Sequence, residues 1–205
     1  MEKITPGIVL KQDDRGEADK LITLLTPNGV ITAVMRGVKK TKAKLKFGAL
    51  PFAFMEYTLS VKGGNYTVTG CTQIEDLSAV TASLEIYYSA SFISEIAMKS
   101  SATGNEAFLE LLKTLKAMLY ENAHPLASAI HFCQFAIHNS GYGYDYRQPV
   151  SVTRPIELLY YTETLDRLVK YDFSDGQLLI QTLKAIAKNF EDKFDCVLLS
   201  KSFLI

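Results

Sequence analysis

Residues 52–74, FAFMEYTLSVKGGNYTVTGCTQI, decide the fold class of the first half of this chain. Alternate positions in the run from Phe52 to Val61 divide into two sets. Ala53, Met55, Tyr57, Leu59 and Val61 share one face, and Phe52, Phe54, Glu56, Thr58 and Ser60 share the other, as the two-residue period of a strand requires. Lys62-Gly63-Gly64-Asn65 is turn chemistry, and the β-branched run Tyr66–Ile74 returns as a second strand. Working outward from this hairpin, three further strand patterns precede it, at 4–12, 19–27 and 30–37. They are separated by Asp13-Asp14-Arg15-Gly16 and Pro27-Asn28-Gly29. Five short strands in about 75 residues, with the longest connection between the third and fourth, point to a small closed or nearly closed barrel, an SH3-like barrel among the options.

After Asp76 the period becomes helical. Leu84, Tyr87, Tyr88, Phe92, Ile93, Ile96 and Ala97 recur at three- and four-residue steps between Ser83 and Lys99. Thr103-Gly-Asn-Glu106 is a capping-box pattern opening a second helix, which carries Phe108, Leu111, Leu112, Leu115, Met118 and Leu119. His124-Pro125 opens a third, running to about Asn139 before Gly141. Ser174-Asp-Gly-Gln177 opens another, from about Asp175 to Phe190. Between them Gly143, Pro149 and Pro155 leave residues 142–171 irregular. The fold class is therefore α+β: a five-stranded barrel at 1–78 followed by an α-helical bundle at 79–205.

Of the 205 residues 48% are hydrophobic, enough for a substantial core, and formal net charge is zero. The balance is local: residues 1–80 hold 11 basic and 8 acidic side chains, residues 81–205 hold 11 and 14. Three separated cysteines, Cys71, Cys133 and Cys196, form no CxxC pair, so neither a disulfide framework nor a thiolate zinc site is expected. With neither a leader-like nor a membrane-spanning apolar run, the expected location is cytoplasmic, away from membranes.

The densest charge feature is Arg36-Gly-Val-Lys39-Lys40-Thr-Lys42-Ala-Lys44-Leu-Lys46, six cations without an acid, in the connection between the third and fourth strands. Lysines on a loop suit a phosphate backbone and are indifferent to base identity. Phe47, Phe52, Phe54, Tyr57 and Tyr66 are candidate stacking partners for bases. A solvated loop that serves only solubility is the competing reading. His124, His131 and His138 share a helix face at seven-residue steps of roughly 10 Å, too far apart for two to ligate one ion, so no metal is expected. The sequence carries no GxSxG, Walker, HExxH or GxGxxG motif, nothing brings Glu56 and Asp76 together as an acid-base pair, and no enzymatic activity is expected.

The stretch GIVLKQDDRGEADKLITLLTPNGVITAVMRGVKKTKAKLKFGALPFAFMEYTL (7–59) resembles the N-terminal domain of RecO-type recombination mediator proteins. The matching features, in order, are Gly7-Ile-Val-Leu10, Gly16-Glu-Ala-Asp19-Lys20, the turn before Gly29, Arg36-Gly37 leading a basic run to Leu45, and Pro51-Phe52. Leu199-Ser-Lys201-Ser202-Phe203-Leu204 is similar to the Leu-Lys-Ser-Arg-x-Phe-Leu ending frequent in that family, while residues 80–195 agree only in helical pattern. The resemblance implies an OB-fold domain that binds single-stranded DNA, with double-stranded DNA left open, and anneals complementary strands in DNA repair after DNA damage. It also implies help in loading RecA with RecR, and a helical domain that takes the C-terminal tail of single-strand-binding protein, in a cytoplasmic, nucleoid-associated setting. The carried-over DNA contacts are Arg36, Lys39, Lys40, Lys42, Lys44 and Lys46, with Lys11, Arg15 and Lys20 behind them. Many members carry a four-cysteine zinc knuckle after the third helix. Residues 141–155 contain no cysteine, so no zinc or other cofactor is expected. The alternative function is a helical protein-interaction adaptor with a structural barrel.

Overall fold

The structure of the protein is a computed structural model that describes residues 1–100, 104–142 and 153–205, with side chains in the last stretch from residue 157. Two compact units divide the chain, Met1–Thr81 with Thr103–Leu109 and Ala82–Ala102 with Glu110–Ile205.

The first unit is a closed barrel of β1 (Glu2–Arg15), β2 (Asp19–Thr26), β3 (Gly29–Met35), β4 (Phe54–Lys62) and β5 (Asn65–Glu75), in the order β1-β2-β3-β5-β4. β1 is long enough to serve two neighbours. Its first half, Glu2 to Ile8, pairs antiparallel with Ser60 to Phe54, and its second half pairs with β2 down to Arg15 opposite Asp19. A register shift between Val9 and Lys11 bends the strand where it changes partner. The barrel closes through a short parallel pairing, Ala33 with Tyr66 and Val34 with Thr67. A parallel closing pair needs a crossover, which β4 supplies, and this arrangement is the OB type that the resemblance implies rather than an SH3-like barrel.

The turns obey their chemistry. Gly63 and Gly64, both at positive φ (55° and 77°), make the two-residue link that brings Lys62 opposite Asn65. The core contains the alternate residues expected of β4: Met55, Tyr57 and Leu59 are buried together with Val9, Ile22, Leu24, Met35 and Val68. The strand begins two residues later than its pattern suggests. Phe52 sits at φ 61°, which no strand residue adopts, and its N–H donates to the Val9 carbonyl (3.0 Å) at the bulge in β1. Phe54, on the opposite face from Met55, is also buried, because its ring packs edge-on against Phe108 at 6.0 Å.

The helices are α1 (Leu84–Lys99), α2 (Asn105–Tyr120), α3 (Pro125–Asn139), α4 (Thr153–Tyr161), α5 (Leu165–Leu168) and α6 (Gly176–Phe194). In the second unit α3 packs against both α1 and α6, burying Phe92, Ile96, Phe132, Ile186 and Phe190. Three expectations are corrected. The stretch 142–171 is not irregular where it is described, since it contains α4 and α5. Pro155 falls in the first turn of α4, where the missing N–H has no helical acceptor to lose. The cap of α6 is Asp175, whose carboxylate accepts the Leu178 N–H at 3.0 Å, one residue beyond the expected Ser174. That helix also runs four residues further than Phe190, ending where Asp195 turns left-handed at φ 46°. The expected Thr103 cap of α2 and residues 143–152 lie outside the described residues.

The family-like ending forms a strap on the helical unit. Glu95 of α1 accepts the N–H groups of Leu199 (3.0 Å) and Ser200 (2.8 Å), the Ser200 hydroxyl, and the Lys99 ammonium at 3.1 Å. Glu191 of α6 accepts the Leu198 N–H (2.7 Å) and the Lys201 ammonium (2.6 Å). Burial pushes the Glu95 carboxyl up, but the hydrogen bonds from Ser200, Leu199 and Lys99 outweigh it and leave the group below its ordinary value. Phe203 stacks on Tyr88 with centroids 5.3 Å apart.

Candidate nucleic-acid interface

The basic run starts where β3 ends, and its first residues are tied to the β1–β2 turn. Gly37, at φ 65°, donates its N–H to the Asp19 carboxylate at 2.7 Å, and the Lys39 N–H donates to the Ala18 carbonyl at 2.9 Å. The Lys39 ammonium lies 2.8 Å from Asp14 and 3.4 Å from the Gly16 carbonyl. Its hydrogen bond, with help from its charge and that of Lys20, holds the Asp14 carboxyl below its usual range. This latch gives a physical reason for the Gly16–Lys20 and Arg36-Gly37 signatures: the acid on one turn is the cap of the other.

Beyond Lys39 the connection is a chain of tight turns. N–H groups of Lys40, Ala43 and Lys46 donate to the carbonyls three residues earlier, and a 3-10 turn follows at Lys46–Ala49. Val38 and Ala49 are buried and Leu45 packs against the barrel core, so apolar residues seat the loop while the cations between them face water. The seat is tightest at Gly48. A Cβ there would lie 2.5 Å from the Cys71 sulfur, and the Tyr57 hydroxyl donates to the Gly48 carbonyl at 2.7 Å. Burial pushes both the Tyr57 hydroxyl and the Cys71 thiol up, so both stay protonated at neutral pH.

The nine expected contact residues divide by their partners. Lys11 pairs with Asp13 at 2.9 Å, Lys20 bonds Gln12 and lies 4.0 Å from Asp14, and Lys39 is held by Asp14. Arg15 is exposed at the end of β1, beside the latch. Arg36, Lys40, Lys42, Lys44 and Lys46 are exposed, and among the described residues none of the five makes an ion pair. Spacing alone did not reveal Asp14, Asp19 or Gly48, since each acts on a residue brought close only by the barrel.

The five aromatic candidates divide more sharply. Tyr57, Phe52 and Phe54 are buried, so they cannot meet a base, and Tyr66 packs against the barrel core. Phe47 is 68% exposed.

In the helical unit the three histidines do not share one set of neighbours. His124 precedes α3 with its ring 6.1 Å from Phe173, whereas His131 and His138 both line a cavity of about 720 Å³. His131 is buried, with Nδ1 2.8 Å from the Thr162 carbonyl and Nε2 2.8 Å from Glu110. The hydrogen bond from His131 holds the Glu110 carboxyl below its ordinary value despite partial burial. Both ring nitrogens are thus engaged by protein oxygens, which fixes the ring between Glu110 and Thr162. Among the described residues no cluster of His, Cys, Asp and Glu could hold a metal. A four-cysteine knuckle does not fit a chain with three cysteines, of which Cys71 serves the barrel seat and Cys133 is buried in α3.

The family model for the N-terminal domain of recombination protein O matches residues 1–77, which hold the whole barrel, the latch and the basic loop. Over those residues the chain is similar to recombination protein O. Proteins named DNA repair protein RecO align with it. That of Dehalococcoides mccartyi strain 195 is 32% identical over 111 residues, covering 53% of this chain and 44% of the relative. That of Roseiflexus sp. strain RS-1 is 30% identical over 118 residues, covering 56% and 41%. The Streptomyces griseus protein is 40% identical over 76 residues, covering 35% and 31%. The chain thus spans less than half the length of these curated relatives.

Proposed function

We propose that this chain acts in DNA repair and recombination as a mediator that binds single-stranded DNA and anneals complementary strands. The observation that carries this reading is the set of five exposed cations, Arg36, Lys40, Lys42, Lys44 and Lys46, unpaired among the described residues, on a loop seated against an OB-type barrel. Five cations on a preformed support neutralise phosphates without first breaking ion pairs, and the released counterions drive binding. Lys20 and Lys39 meet at Asp14 next to Arg15, Lys11 is paired with Asp13, and each of these three lysines gives up an acidic partner before contacting phosphate.

The division of labour we propose assigns nucleic acid to residues 1–78 and proteins to 79–205. The partners of the second part are RecR and the C-terminal tail of single-strand-binding protein, with RecA acted on indirectly. The protein works by binding, without catalysis or cofactor, in the cytoplasm at the nucleoid. The relatives' shared name and the match to the family's N-terminal domain support the repair role. Among the described residues no helix is long and apolar enough to cross a membrane. Strand annealing of complementary oligonucleotides, with and without single-strand-binding protein, tests the proposal. Annealing faster than the spontaneous rate supports it. No acceleration, with tail-peptide binding intact, would replace it with the adaptor reading.

A further inference from the structure

We propose that Phe47 is the base-stacking residue of the loop and that it gives the protein a preference for single over double strands. The inference rests on the nucleic-acid reading above and names the part of the surface that distinguishes the two forms of DNA.

Three observations converge on this ring. First, of the five aromatics in or near the loop, the three buried side chains and Tyr66 belong to the barrel, whereas Phe47 is 68% exposed. Second, its mount is rigid. Phe47 stands in the 3-10 turn directly before Gly48, whose carbonyl is held by Tyr57 and whose Cα lies against Cys71. The Leu50 N–H donates back to the Phe47 carbonyl at 3.2 Å. The backbone that presents the exposed ring is thus hydrogen-bonded on both sides of it. Third, the ring is flanked by charge of one sign. Lys46 precedes it and Lys44 stands three residues back, both exposed and without an acidic partner among the described residues.

A polyanion that also carries apolar, planar faces satisfies such a surface, and unpaired nucleobases are those faces. In a duplex the bases are stacked on one another and present only their edges. The lysines therefore attract both forms of DNA, and Phe47 adds affinity only for the unpaired one.

The chain contains no tryptophan, so Phe47→Trp places a single indole at the site. On titration with an unlabelled oligothymidine, this variant should bind with wild-type affinity, and its emission should be quenched as bases stack. Phe47→Ala should lower single-strand affinity roughly five- to 150-fold, leave duplex affinity within about twofold, and leave the salt slope unchanged. An indole whose emission does not change at saturating oligothymidine would overturn the inference, as would a Phe47→Ala variant that binds single strands like wild type. In either case lysine substitutions that still weaken binding would leave the nucleic-acid reading standing. Wild-type protein that binds no DNA at low salt would sink that reading itself. A blue shift with phosphatidylglycerol vesicles, in a variant blind to oligothymidine, would assign the ring to an anionic membrane surface and also overturn the inference.

Discussion

The strap of the helical unit and the basic loop of the barrel use the same residue types to opposite ends. In the strap Lys99 and Lys201 meet Glu95 and Glu191, and those carboxylates also gather the backbone N–H groups of residues 198–200. In the loop, from Lys40 to Lys46, no lysine meets an acid among the described residues, and apolar residues hold the backbone instead. A cation paired to a carboxylate secures structure, whereas a cation without one retains its full field for an outside anion. Lys39 shows the boundary, since it belongs to the basic run by sequence and to the latch by geometry.

Substitutions should separate these two roles. The largest stability effect is expected at Glu95. Glu95→Ala strands the donors of Leu199, Ser200 and Lys99, and should cost about 3 kcal/mol in urea unfolding of the full chain. The same carboxylate makes the strap acid-sensitive. Its folded-state pKa lies below the ordinary 4.5, so its contribution is complete at neutral pH and is lost as pH falls from that value through the folded one. Glu95→Gln should flatten this acid limb, and an unchanged pH profile would show that the carboxylate does not hold the strap.

Next in size is the loop seat. Gly48→Ala forces the Cys71 sulfur aside and should destabilise the barrel by roughly 1–3 kcal/mol, measured by thermal unfolding. Pairing it with Cys71→Ala should recover part of the loss, and no recovery would place the strain elsewhere. The smallest effect separates Lys39 from its neighbours. Lys39→Ala should lower Tm slightly through the lost Asp14 contact, while Lys42→Ala should leave it unchanged. Equal shifts would erase the boundary drawn at the latch.

How much of this was legible in the sequence depends on how local each cause is. The β4 core face followed from a two-residue period, which put Tyr57 beside Met55 and Leu59; its candidacy for stacking on a base is ended by its burial. Burial of Phe54 did not follow, because the residue that covers it, Phe108, lies 54 positions away. Likewise the acid-free stretch from Arg36 to Lys46 could be read directly. Neutralisation of Lys39 depends on Asp14, which a barrel register brings within 2.8 Å from 25 residues away. The helix at Thr153–Tyr161 was hidden by Pro155, a breaker in most positions and harmless in a first turn.

The central claim, that five unpaired cations hold a phosphate backbone, is tested most directly by the salt dependence of single-strand affinity. For wild type, the logarithm of the association constant should fall against the logarithm of salt with a slope near −3.5, about −0.7 for each of five contacts. Replacing Lys40, Lys42, Lys44 and Lys46 together by Ala should reduce the slope to about −0.7 with Tm unchanged. A flat wild-type slope, or a quadruple variant indistinguishable from wild type, would contradict the account.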